Sequence, residues 1–320
     1  MLRNDASEMK TPAPNPRISL TMGPLLFNWS TERRCDFYAR LADEAPIDTV
    51  HVGEVVCSKR LPFYLDSIAE TVDRLQRGGK TVVLSTLALI TLPRERQYTV
   101  DTIHNGEYEV EVNDIAALAH LAKEQAFRVG PYVNVYSGGT FRVLAGLGAS
   151  SVCLPPELPI DTVEALATLA RSLSVGCEVW SFGRVPLAVS GRCYHARVHK
   201  LTKDACQFVC SRDSDGLDVD TVDGRGFLAI NGVQAMSNTY CNTVGDADRL
   251  RIAGVTALRL SPHGCDMIAV SKTFRDLLDG KLDSEEALRR TGEICGGASF
   301  SNGFLFGGSG SEMVRRPQVR

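Results

Sequence analysis

The chain has 320 residues, 44% of them hydrophobic and 23% charged, with 35 basic and 38 acidic side chains for a net charge of −3. That is globular composition, enough for one large α/β barrel or two smaller domains. It excludes a chain-wide positive field for holding nucleic acid, and no uncharged apolar run of about 18 residues is present to span a membrane.

In chain order, residues 1–17 (MLRNDASEMKTPAPNPR) are polar and proline-containing, with no apolar run of a secretory signal. They read as a disordered extension. Strands follow at ISLTM (18–22), DTVHVG (48–53), TVVLST (81–86), YEVEV (108–112), RVGPYVNV (128–135), SSVCLP (150–155), CEVWSF (177–182) and ALRLS (257–261). β-Branched residues dominate most of them. Helical patterns lie between, at 35–45, 63–77, 115–125, 140–147, 161–173 and 267–278. The second places apolar residues at 65, 68, 72 and 75 on one stripe. The fifth opens Asp-Thr-Val-Glu, a capping-box pattern.

Eight strands, most followed by a helix, predict an α/β fold of the (β/α)8 TIM-like barrel kind, with an open doubly wound sheet as the runner-up. Residues 191–250 break the rhythm between the seventh and eighth strands and read as a cysteine-containing insertion on the barrel's top face. The expected organisation is a single barrel domain over 18–310 and a flexible tail over 311–320. The glycine-rich stretch 296–310 reads as an irregular loop docked by its phenylalanines, or else a mobile tail. It is no dinucleotide fingerprint, because no strand precedes it and no helix follows.

Ten cysteines without a secretory signal predict a reducing, cytoplasmic setting, where they serve as thiols or metal ligands. Cys153 and Cys177, inside apolar strands, read as buried hydrophobes. Four others stand beside polar or turn-forming residues: Cys57, then Cys193–x12–Cys206–x3–Cys210. In a β/α barrel both groups follow strand C-termini, so topology places them on one face. Thiolates suit iron–sulfur clusters and structural zinc. There is no paired C-x2-C turn, so this irregular spacing with a remote fourth ligand suits a [4Fe–4S] cube more than a zinc turn. Zinc and unliganded thiols remain open.

His195 and His199, four apart, share a helix face, but Ala196 stands where a zinc-protease helix carries its glutamate. The pair reads as surface or as support around a ligand. His51 reads as a satisfied core histidine. Gly138, Gly139 and Thr140 precede a helix and could receive an anion, although turn formation is the commoner use of such glycines. Asn134, Glu157 and Glu178, in or just after strands, are candidate substrate contacts. A carboxylate inside CEVWSF must be paired or protonated, which marks either a site or a structural ion pair. No nucleophile elbow, Walker loop or hydrolytic constellation is visible, and no catalytic residue is assigned.

The stretches GEVVCSKR, TVVLSTLALI, EVWSFGRVPLAVSGRCYHAR with its later C-x3-C, and NGVQAMS together resemble the UbiV family of oxygen-independent ubiquinone-biosynthesis proteins, relatives of the collagenase-like peptidases. The resemblance covers roughly 18–305, with the same cysteine order and the same x12 and x3 intervals. It implies a [4Fe–4S] cluster on Cys57, Cys193, Cys206 and Cys210. It also implies a heterodimer with a homologous UbiU-type subunit, and hydroxylation of a ubiquinone precursor without dioxygen rather than peptidase activity. The N-terminal extension and the glycine-rich C-terminus depart from the pattern. Other classes consistent with the residues are a relative that hydroxylates an RNA nucleobase, although no basic face is apparent, and a zinc-stabilised structural partner.

Overall fold

A computed structural model describes residues 17–315. The expected N-terminal extension, apart from Arg17, and the expected tail from residue 316 onward lie outside them.

The chain runs β1 (Ser19–Met22), α1 (Thr31–Glu44), β2 (Thr49–Val52), α2 (Leu61–Arg77), β3 (Thr81–Ser85), α3 (Pro93–Ile103), β4 (Glu109–Val112), β5 (Phe127–Val129), α4 (Gly138–Gly146), β6 (Ala149–Leu154), α5 (Ile160–Ser172) and β7 (Gly176–Val189). After β7 come α6 (Tyr194–Val198), β8 (Leu217–Asp220), β9 (Gly226–Asn231), β10 (Gln234–Asn242) and α7 (Ala247–Ala253). The chain then returns through β11 (Ala257–Leu260), α8 (Met267–Leu278), α9 (Ser284–Ile294) and β12 (Phe300–Ser301). β1 to β7 pair in parallel order, and β11 pairs in parallel with both β7 and β1. That double pairing closes the sheet into the expected eight-stranded (β/α)8 barrel. The insertion between the seventh and eighth barrel strands is β8–β9–β10, an antiparallel sheet joined edge-on to the outer half of β7.

The barrel is held by the apolar outer face of its wall packed against the helices. Leu20, Val50, Val110 and Val152 are buried along the strands, and Leu41, Leu75, Phe141 and Ala167 close over them from the helices. Each such leucine or phenylalanine contributes about 1.5–3 kcal/mol of burial free energy. Among the described residues no helix is long and apolar enough to cross a membrane.

Several local expectations are corrected. The strand read over 128–135 stops at Val129, because Pro131 cannot donate to a ladder and Asn134 takes a left-handed φ of 60°. The helix read over 115–125 shrinks to a 3-10 turn, Ile115–His120, capped by the Asp114 carboxylate on the Ala116 amide. The capping box at Asp161 is absent. The helix begins at Ile160 behind Pro159, so Asp161 sits in its first turn. Helices α3, α7 and α9 go unread in the sequence. α3 starts with Pro93, and the Glu95 carboxylate accepts from the amides of Thr91 and Leu92. Within the insertion, residues 226–236 form a hairpin turning at Gly232, φ 61°. At the C-terminus, Phe300 pairs into the sheet beside β10 and Leu305 is buried, so 296–310 lies against the core.

Candidate metal centre

Four thiols line one small pocket: Cys57, Cys193, Cys206 and Cys210, with Lys59, Arg60, His195 and Phe208 beside them. Cys57 is delivered by the loop after β2. Glu54, buried there, accepts hydrogen bonds from the amides of Val56 and Cys57, both at 2.8 Å, and so fixes the loop that presents the sulfur. Cys193 caps α6, its Sγ accepting from the Ala196 amide at 3.4 Å. Cys210 lies in the 3-10 turn Val209–Arg212 and receives the Asn28 amide nitrogen at 3.5 Å. The Cys206 loop is tied to the Cys57 loop by Lys59, whose ammonium donates to the carbonyls of Lys203 and Asp204 at 2.8 Å each. An edge-on stack of Phe63 and Phe208 closes the same seam.

The Arg60 guanidinium favours thiolate, but burial outweighs it and holds the Cys57 and Cys193 thiols above their ordinary value. Burial alone pushes the Cys57 thiol up, and the Arg60 guanidinium opposes that shift. Burial likewise raises Cys193, opposed by the Ala196 amide. Arg60 is itself buried and donates to the Leu26 carbonyl at 2.7 Å and to Asn231 at 3.1 Å. Burial works against its charge, but Glu54, Cys210 and Cys57 more than offset this.

The spacing of the sulfurs bears on which group would fit. A tetrahedral zinc with Zn–S bonds of about 2.3 Å draws its sulfurs to within about 4 Å of one another. Among the described residues, one trio of histidine, cysteine and carboxylate groups has ligand atoms all within 4.8 Å, and it is His195, His199 and Asp213. No three of the thiols are gathered that tightly. Four thiols around a pocket beside a cation are a donor set that a thiolate-held metal centre can use.

The candidate substrate contacts lie elsewhere. Glu178 is buried inside the barrel, where Arg259 donates to its carboxylate at 2.7 and 3.1 Å. Arg259 also meets Glu111 at 2.5 Å and His51 at 3.4 Å. Burial alone would raise the Glu111 carboxyl, but Arg259 and His51 hold it well below the usual range. The same balance, with Arg259 foremost, lowers Glu178, and burial lowers His51. Asn134 is exposed, and Glu157 is half-buried, accepting from the Tyr136 hydroxyl. None of the three touches the thiol pocket.

Sequence reading missed the link between pocket and barrel. Asn231 receives Arg60 and donates to Gln234, and Gln234 donates to the Tyr132 hydroxyl at 2.7 Å. This polar chain is assembled from three separate segments, the Arg60 turn, the Asn231–Gln234 hairpin and the Tyr132 turn, which only the fold brings together. The Asp215–His263 pair resembles a hydrolytic dyad. However, His263 Nε2 accepts from the Arg184 amide at 2.8 Å, so that nitrogen is engaged by the backbone.

The fold and the pocket define a TIM barrel with a thiol-lined chamber built partly from an insertion in its wall. Residues 38–315 match the profile of Peptidase family U32, and the chain belongs to that family. Among solved structures it is similar to an enolase, a putative galactarate dehydratase of Agrobacterium radiobacter with sodium and L-malate bound. Identity is 14% over 51% of this chain and 45% of the enolase, with a TM-score of 0.35. The chain thus spans less than half the length of that protein. It is also similar to phospho-2-dehydro-3-deoxyheptonate aldolase of Thermotoga maritima, at 12% identity over 89% of this chain and 71% of that one, TM-score 0.32.

Proposed function

We propose that Cys57, Cys193, Cys206 and Cys210 hold a [4Fe–4S] cluster, and that the chain is the cluster-bearing subunit of an oxygen-independent hydroxylase of the UbiV kind. The observation that supports the cluster reading is the meeting of four thiols from distant segments in one pocket. A bound cluster would supply one-electron transfer. Around it, the chain's own residues have definite tasks. Glu54 holds the Cys57 loop, the Ala196 amide and the Asn28 side chain direct hydrogen bonds at two sulfurs, and Arg60 offsets thiolate charge. Such hydrogen bonds and charges raise the potential of a thiolate-held centre. The UbiU-type homologous partner, the ubiquinone precursor as substrate and the cytoplasmic setting rest on the resemblance of GEVVCSKR, the Cys193–Cys210 pattern and NGVQAMS.

Anaerobic reconstitution with iron and sulfide tests the centre. About four irons per chain and a broad visible absorption are expected, and Cys193→Ala or Cys206→Ala should lose both. A colourless, iron-free wild type would count against the cluster, and one zinc without sulfide that is lost in Cys206→Ala would establish the structural-zinc alternative instead. Anaerobic co-purification from the native source reads out the partner.

A further inference from the structure

We propose that His195, His199 and Asp213 form a second, separate site for a single divalent transition cation of the zinc type, beside the thiol pocket. The three groups come from two elements. α6 ends at Val198 with His199 as its C-cap, so His195 and His199 stand four residues apart, their rings stacked at 5.8 Å and 19°. Asp213 follows the turn Val209–Arg212, and its Oδ2 lies 2.7 Å from His195 Nε2. One ligand atom from each residue lies within 4.8 Å of the other two. A second observation is independent of that clustering. His195 is 1% exposed, and both its Nδ1 and His199 Nε2 are buried without any hydrogen-bond partner. Buried polar atoms are nearly always satisfied, and an orphan imidazole nitrogen is the form in which that ring binds metal.

The donor chemistry sets the class of ion. Two imidazoles and one carboxylate leave a fourth position for solvent, the pattern of a tetrahedral zinc site that is not closed by protein. Imidazole favours zinc over magnesium, calcium or manganese. No thiol belongs to this close trio, so the site is chemically distinct from its neighbour. Its position gives it a task. His195 lies two residues after Cys193, and Asp213 lies three after Cys210. An ion there would pin the helix bearing one thiol to the turn bearing another.

Zinc titration of the anaerobically reconstituted protein, followed by metal analysis, tests this. About one zinc per chain should bind with the iron count unchanged. Asp213→Asn keeps an acceptor for His195 but is a poor ligand, and His199→Ala removes a ring that does not line the thiol pocket. Each should weaken zinc binding about tenfold or more while iron content and the unfolding midpoint hold. Cobalt(II) in zinc's place should show weak visible bands without the intense near-ultraviolet band of thiolate ligation. Wild-type protein that takes up no zinc would overturn the proposal, and so would an Asp213→Asn variant that binds zinc unchanged. Zinc that enters only as iron leaves would also overturn it, because the thiols would then be its ligands. Should the protein hold no iron at all, the free thiols would compete for cobalt, so the same titration on a Cys57→Ser, Cys206→Ser, Cys210→Ser variant reads this site alone.

Discussion

Arg259 shows how much can rest on one side chain. It is 1% exposed and stands between Glu111 and Glu178, with His51 against it. Arg259→Met would leave two carboxylates buried without a cation, a loss of about 3–5 kcal/mol that guanidinium unfolding should register. The sign of the pH response follows from the shifts. His51 is lowered, so its stabilising share is present above its ordinary value near 6.5 and is lost as pH falls below it. Glu111 and Glu178 are lowered too, so their share is present above about pH 4.5 and is lost as pH falls through their folded values. Unfolding midpoints measured from pH 7 to pH 3 should therefore fall throughout, more shallowly at the acid end in Glu178→Gln. The sequence shows that a carboxylate inside CEVWSF needs a partner. It does not show which one, because Arg259 lies 81 residues away and only barrel closure makes them neighbours.

At the scale of elements, the thiol pocket depends on short turns. Gly53 ends β2 at φ 140°, and a Cβ there would meet the Ser85 carbonyl oxygen at 2.6 Å. Gly53→Ala should cost roughly 1–3 kcal/mol and displace the Glu54–Cys57 loop, measurable as lower iron occupancy after reconstitution alongside a lower unfolding midpoint. A different juxtaposition lies past β11. The sulfurs of Cys265 and Cys295 are 3.3 Å apart, joining the loop before α8 to the end of α9. Oxidised glutathione should convert the pair to a disulfide, releasing two reduced glutathiones. Intact-mass analysis would show two hydrogens lost, and Cys295→Ser would prevent it. Elements with strong apolar periodicity, such as α2, are legible in the sequence. α3 is not, because its polar PRERQYTVD face carries no stripe and its start is set by Pro93 and the Glu95 side chain.

Across the whole molecule, the count of eight barrel strands and the position of the insertion can be read from alternation alone. What alternation cannot supply is the reach of β7, which runs 14 residues from barrel wall into the added sheet and pairs with β10 along its outer half. Because β7 itself runs unbroken through both, and its ladder to β10 shifts register only around Met236, amides of β10 should exchange with solvent at rates close to those of β7 rather than as a separately melting unit. The strand acts as a stave shared by two rooms, with no slack joint between them. A subunit leaning on the outer sheet, or ions entering or leaving it, would tug directly on the barrel's rim, and the polar thread from Arg60 to Tyr132 would feel the same pull.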